Sequence, residues 1–93
     1  MSRYVTLIRF TEQGAKNLKK SPARALEFAK SAEKTGVTVE SQLWTLGSRD
    51  GVLIMRGDEK KILRCLAELA SLGNVRTDTL QAFDVKELEA LTG

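Results

Sequence analysis

The chain has 93 residues, of which 42% are hydrophobic and 29% are charged, and it carries a formal net charge of +3. This length fits one domain over residues 1–93, and the composition is that of an ordinary globular protein. The sequence has no run of about 18 apolar residues and no signal-peptide pattern at its start, so we expect no membrane span. Cys65 is the single cysteine, which excludes an internal disulfide and fits a cytoplasmic protein.

The first part of the chain predicts a strand followed by a helix start. Residues 3–10 are rich in β-branched and aromatic side chains on both alternating faces, which is typical of a central strand. Thr11 is suited to cap a helix, whose inner face we assign to Ala15 and Leu18. Gly14 is expected to weaken that first turn, because glycine is a poor helix former.

A second helical segment restarts at Ser21 and Pro22, a pair typical of an N-cap and a first helical position. Its apolar stripe is formed by Ala25, Phe28, Ala29 and Ala32. The region from Lys16 to Lys34 is basic, but acidic residues interrupt the cations. The pattern therefore favours a solvated helix face over a patch for an anionic partner.

The rest of the chain is organised around residues 38–56, which predict a β-hairpin. Residues 38–46 alternate in side-chain direction, and a turn follows over residues 47–51. Residues 52–55 are all apolar, as in a strand that is buried on both faces. The sheet is therefore expected to need cover on both sides.

A third helix is predicted after Asp58, which is suited to cap it. Its apolar residues recur at helical spacing: Ile62, Cys65, Leu66, Leu69 and Leu72. Since the chain has no histidine to activate a thiol, we interpret Cys65 as a small core residue.

The last strand is predicted over residues 75–83, with Thr77, Thr79 and Gln81 on one face. Asp84 then predicts the cap of a short C-terminal helix over residues 85–91. Its apolar contacts are expected to be Leu88 and Leu91.

The element order β-α-β-β-α-β predicts an α+β, ferredoxin-like sandwich, in which a four-stranded antiparallel sheet carries two helices on one face. The second face is also expected to be apolar, through Tyr4, Ile8, Phe10, Trp44 and Leu46 together with the third strand. Because a monomer rarely leaves such a face in water, we expect a second copy to cover it in a homodimer or higher oligomer.

Four segments of the chain carry a family resemblance: residues 4–14, the pair Ser21-Pro22, residues 43–55 and, most specifically, residues 71–83 with the sequence SLGNVRTDTLQAF. They resemble the matching segments of the GYD-domain family of small bacterial and archaeal proteins. The resemblance implies a single GYD-like domain of the dimeric α/β-barrel type. It implies no particular activity.

One position of the hairpin turn departs from the Gly-Tyr-Asp signature for which that family is named. The turn reads Gly47-Ser48-Arg49-Asp50, so Arg49 stands where the resemblance implies a tyrosine. Arg49 is expected to be exposed and to favour an anionic ligand, because its planar guanidinium suits carboxylates and phosphates.

Candidate ligand-binding residues are polar or aromatic and lie on the strands or their turns: Tyr4, Arg9, Trp44, Arg49, Asp50, Asn74 and Arg76. With no histidine, an acid or base role would fall to Asp50, Asp78 or Tyr4.

Each of these candidates also has a structural interpretation. Asp50 suits turn geometry, Asn74 a helix end and Trp44 packing on the sheet. Arg76 is expected to pair with Asp78 on the surface of the last strand. We expect no metal site and no cofactor, since ligand clusters and phosphate-loop motifs are missing from the sequence.

Two classes of function therefore stay open, together with a weaker third. The first is a homo-oligomeric module for binding a small molecule, such as an organic anion, or for assembly. The second is a cofactor-free enzyme that acts on a small organic compound in a cleft of the barrel. Nucleic-acid binding is disfavoured, because the third strand lacks the aromatic side chains on which RNA-recognition domains stack bases.

Overall fold

The computed structural model describes residues 2–93. The strands are β1 (Ser2–Phe10), β2 (Thr38–Trp44), β3 (Gly51–Gly57) and β4 (Val75–Ala82). The helices are α1 (Glu12–Lys16), α2 (Ser21–Lys34), α3 (Glu59–Ser71) and α4 (Val85–Thr92), with a short 3-10 turn at Leu18–Lys20. The predicted order of elements is confirmed. In the described part of the chain, no helix is both long and apolar enough to cross a membrane.

All neighbouring strands are antiparallel, and their order in the sheet is β2-β3-β1-β4. This confirms the α+β class, and the strand order is that of a ferredoxin-like sheet. The buried core joins one face of the sheet to both long helices: Tyr4, Ala32, Val37, Leu53, Met55, Ile62 and Cys65. Helices α2 and α3 therefore cover the same face, as predicted.

The assignment of the two sheet faces was wrong for the first strand. Tyr4 and Thr6 lie opposite Met55 and Leu53, point toward the helices and are buried. Ile8 lies on the same side and packs against the core. Because β1 is apolar on both faces, side-chain alternation alone did not show which face the helices would cover.

The same correction applies to the end of the hairpin. Trp44 also faces the helices, since its indole Nε1 donates a hydrogen bond to Ser21 Oγ over 3.0 Å. Leu46 belongs to neither face, because it lies in the turn and is fully exposed.

A β-bulge at Glu40 breaks the predicted alternation of the second strand. Val39 pairs with Met55 and Ser41 pairs with Ile54, so the two residues point to opposite faces although they were predicted to share one. The extra residue of a bulge shifts the side-chain pattern by one position. Val39 consequently joins Gln42 and Trp44 on the helix side.

Helix α1 also differs from its prediction. Thr11 caps it as expected, since its hydroxyl accepts a hydrogen bond from the Gly14 amide. Ala15 and Leu18, however, are exposed, and Gly14 is the buried residue. Gly14 packs against the backbone of Asn74, so its missing side chain permits a close contact rather than weakening the turn.

The apolar stripe of α3 is largely confirmed. Ile62 and Cys65 are buried, and Leu66 and Leu69 pack at the edge of the core. Leu72 lies beyond the helix and is exposed. The predicted apolar contact residues of α4, Leu88 and Leu91, are both more than half exposed.

Candidate functional site

The sheet surface opposite α2 and α3 is hereafter called the open face. The strand register places six large apolar side chains on it: Val5, Leu7, Leu43, Val52, Ile54 and Leu80. They lie side by side across all four strands, and Leu43 and Leu80 on the edge strands are more than half exposed. An apolar surface that continues across a whole sheet is typical of an interaction site.

One end of the open face carries balanced charges. Arg3 Nε lies 3.0 Å from Glu40 Oε1, and Arg56 Nη1 lies 3.7 Å from the second oxygen of the same carboxylate. Glu87, in the first turn of α4, lies 3.8 Å from Arg3 Nη1. The hydrogen bond and charge of Glu40 raise the pKa of Arg3 above its ordinary value, so this arginine stays a cation.

The other end of the open face, the arginine end, is defined by Arg9, Arg49 and Arg76. Arg9 and Arg76 lie directly opposite each other in the β1–β4 pairing. Asp78 was predicted to pair with Arg76, but it pairs with Arg49 instead. The distance from Arg49 Nη2 to Asp78 Oδ2 is 3.7 Å. The Arg49 side chain is 37% exposed, which is less than the largely exposed position predicted for it.

A groove lies on the opposite side of the sheet, between α2 and α3. Its cavity measures about 580 Å³. The lining is mostly apolar and includes Ile8, Phe10, Phe28, Leu53, Leu69 and Leu72. Such a surface suits an apolar ligand or side chain, because it offers contact area and few polar groups.

Several polar side chains in the groove bond to the protein itself. Trp44 is held by Ser21, and the Gln42 amide donates to the Ala25 carbonyl over 3.0 Å. Among residues 2–93, no buried side-chain nitrogen or oxygen lacks a hydrogen-bond partner. These groups therefore shape the walls of the groove, and they leave no buried polar atom waiting for a ligand.

The structure distributes the seven predicted site residues over three places. Trp44, Asp50 and Asn74 line the groove. The three arginines form the arginine end of the open face, and Tyr4 is a core residue with 9% of its surface exposed. The predicted set is thus not one site.

Two residues at the mouth of the groove hold the surrounding loops in place. Asp50 Oδ2 accepts a hydrogen bond from the Phe10 amide over 2.8 Å, and the Asp50 amide donates to the Ile8 carbonyl. Asn74 accepts from the Gln13 side chain, and its carbonyl accepts from the Thr11 amide. The Asp50 contacts join the end of the hairpin turn to β1, and the Asn74 contacts join the segment before β4 to the start of α1.

The sequence reasoning missed the apolar residues of the open face, such as Val5, Leu7 and Leu80. The alternation of Val5 and Leu7 with Tyr4 and Thr6 was visible in the sequence. The missing information was the identity of the covered face, which depends on tertiary packing.

Comparison with known proteins adds two findings. Residues 4–92 match the sequence profile of the GYD domain family. A protein of Thermus thermophilus, described as a glutamine synthetase and cystathionine beta-lyase binding protein, is 36% identical over 92 residues, which is 97% of this chain and 97% of that protein. No solved structure matches the chain significantly.

Proposed function

The chain belongs to the GYD domain family, and we propose that it is a self-associating interaction module that binds metabolic enzymes. The observation that carries the proposal is the open face. Its six large apolar side chains lie on the side of the sheet that α2 and α3 do not cover. A second copy would bury them around a two-fold axis.

The distribution of charge on the open face supports this proposal. The apolar residues occupy the middle of the sheet, and charged residues flank them at both strand ends. Stable protein interfaces have the same arrangement, in which a dry apolar centre is surrounded by a polar rim. Burial of the centre would favour association by about 25 cal/mol per Å² of apolar surface, before the costs of lost translational and side-chain freedom are subtracted.

The proposal of enzyme partners rests on the Thermus relative. That protein is described as binding glutamine synthetase and cystathionine beta-lyase, and the similarity extends along nearly the whole of both chains. We infer that this chain binds enzymes of the same kind, in the cytoplasm. Stacking through the open face would leave α2, α3 and the groove accessible to such a partner.

Isothermal titration calorimetry tests this proposal. The chain is titrated separately with purified glutamine synthetase and with purified cystathionine beta-lyase from its own organism. We expect saturable binding to at least one enzyme at micromolar concentration. An unrelated oligomeric enzyme of similar size is the control. Absence of heat with both enzymes at two well-separated temperatures, up to tens of micromolar, would contradict the proposed partnership, because burial of apolar surface makes the binding enthalpy depend on temperature.

A second candidate function is the binding of a small organic compound in the groove. The cavity volume of about 580 Å³ favours it, since ligand sites commonly measure about 300–1,000 Å³. A thermal-shift screen on the wild type and on Phe28→Ala tests it, and the hits should disappear in the variant. Hits that are equally strong in both proteins would place the ligand elsewhere.

The geometry gives less support to the enzyme alternative. The three acid or base candidates lie apart, with Asp50 bonded to the Phe10 amide, Asp78 paired with Arg49 on the open face, and Tyr4 in the core. A general acid or base must reach the same substrate as the other reacting groups. Binding therefore describes the groove better than catalysis.

A further inference from the structure

We propose that helix α4 of one copy lies against the arginine end of a second copy. In this dimer the two sheets stack face to face, and the arginine end of each copy lies over the opposite end of the other. This inference rests on the proposed self-association through the open face and fixes its arrangement. The occupant of the arginine end is thus a defined segment of the same protein, residues 83–93.

Helix α4 is well formed but presents its apolar side chains to solvent. A capping box closes its start, since Asp84 accepts from the Glu87 amide and Glu87 accepts from the Asp84 amide. The large apolar side chains of α4 and of the residue before its cap are exposed by 54–73%: Phe83, Val85, Leu88 and Leu91. Because a helix of this length is marginal in water without packing, this stripe needs a partner surface.

The charges of α4 and of the arginine end are opposite. The arginine end contains three guanidinium groups and the carboxylate of Asp78, which gives a formal charge of +2. Residues 83–93 contain three carboxylates and the ammonium of Lys86, which gives −2. Complementary charges of this kind set the orientation of partners more than they set the affinity.

Two face-to-face arrangements with two-fold symmetry are available. In one, the arginine end of each copy lies over the arginine end of the other, and the two positive clusters repel. In the other, each arginine end lies over the end of the partner at which β4 finishes and α4 begins. Arg9 and Arg76 already oppose each other as like charges within one chain, so the second arrangement also relieves an existing repulsion.

The dimensions of the chain fit the second arrangement. Arg3 and Arg9 are six residues apart on β1, which corresponds to about 20 Å between the two ends of the open face. Helix α4 starts at the Arg3 end, where Glu87 contacts Arg3. When opposite ends of the two sheets are stacked, α4 lies beside the arginine end of the partner without any refolding of the chain.

Glu89 is the acidic residue of α4 that is free for the partner. Glu87 is engaged in the capping box and with Arg3, whereas Glu89 is an exposed residue in the middle of the helix. Its counterpart is Arg76, which is exposed on the edge strand β4.

The test is a charge exchange, read as the dimer dissociation constant from sedimentation equilibrium at low ionic strength. Arg76→Glu and Glu89→Arg should each weaken the dimer by at least about tenfold, because each places like charges together across the interface. The double variant should recover most of this loss, as coupled residues do in a double-mutant cycle. Arg64→Glu, on the exposed side of α3, is the control and should leave the constant unchanged.

Two results would overturn the arrangement. In the first, neither single variant changes the dimer dissociation constant. In the second, the double variant loses as much dimerisation free energy as the two single variants together. Either result would leave the proposed self-association intact. A wild-type chain that stays monomeric would instead remove the self-association and, with it, this arrangement.

Discussion

Replacing Ile62 by alanine is expected to lower the free energy of unfolding by about 2–5 kcal/mol, as large-to-small changes in a closed core do. Ile62 is 2% exposed and belongs to the core cluster with Val37 and Met55. Helix α3 has few fully buried residues, so the cavity would remove much of its attachment to the sheet. For a domain with a usual stability of about 5–15 kcal/mol, this is a large part of the total.

Leu63→Ala is the matched control for this experiment. Leu63 is the next residue in α3 and loses the same number of carbon atoms, but it is 67% exposed. Leu63→Ala should change the free energy of unfolding by no more than about 0.5 kcal/mol, as other surface substitutions do. Chemical denaturation of both variants measures the difference. Equal costs would mean that the buried face of α3 is assigned incorrectly.

Replacing Gly14 by alanine is expected to destabilise the fold by about 2 kcal/mol or more, although glycine-to-alanine changes inside helices ordinarily stabilise by about 0.5–1 kcal/mol. A Cβ at this position would overlap the Asn74 carbonyl oxygen and lie 2.9 Å from the carbonyl carbon. That oxygen also accepts the Thr11 amide hydrogen bond. The methyl group would therefore separate α1 from the start of β4, with the cost of an overpacked contact.

Gly47→Ala is the control for the contact itself. A Cβ at Gly47 has no atom within 4 Å, so the only unfavourable effect of alanine is backbone strain at the φ of +104°. The free energy of unfolding of this variant should fall by at most about 1–2 kcal/mol, which is the cost of an unfavourable backbone conformation. Thermal or chemical denaturation that shows Gly14→Ala to be more stable than the wild type would contradict the close contact.

The local signals in the sequence predicted the elements well. Thr11, Asp58 and Asp84 each cap the helix that was predicted to follow them. The 3.6-residue spacing identified the buried positions Ile62 and Cys65 of α3. These features depend on residues within one or two helical turns, so they do not require knowledge of the tertiary structure.

The features that were mispredicted depend on contacts between distant residues. The bulge at Glu40 changes the direction of Val39, and no local signal marks it. Gly14 is buried only because Asn74, far along the chain, approaches it in the fold. The choice of sheet face belongs to the same class, since β1 offers apolar residues on both sides.

The predicted site residues illustrate the same limit. Arg9, Arg49 and Arg76 were chosen singly for their chemistry, and the sheet register brings them to one end of the open face. The Phe10 amide engages the carboxylate of Asp50, the neighbour of Arg49 in sequence, and Arg49 pairs with Asp78. Residue types therefore predicted which side chains are available, and the fold determined how they are grouped.

Sedimentation equilibrium of the wild-type chain decides whether a second copy covers the open face, on which both the proposed self-association and the placement of α4 depend. We expect a mass of about twice the 10.3 kDa of one chain at micromolar concentration. We also expect a shift toward the monomer in Leu80→Asp, which places a charge on the exposed apolar surface. A mass of 10.3 kDa for the wild type over the whole concentration range would contradict self-association through this face.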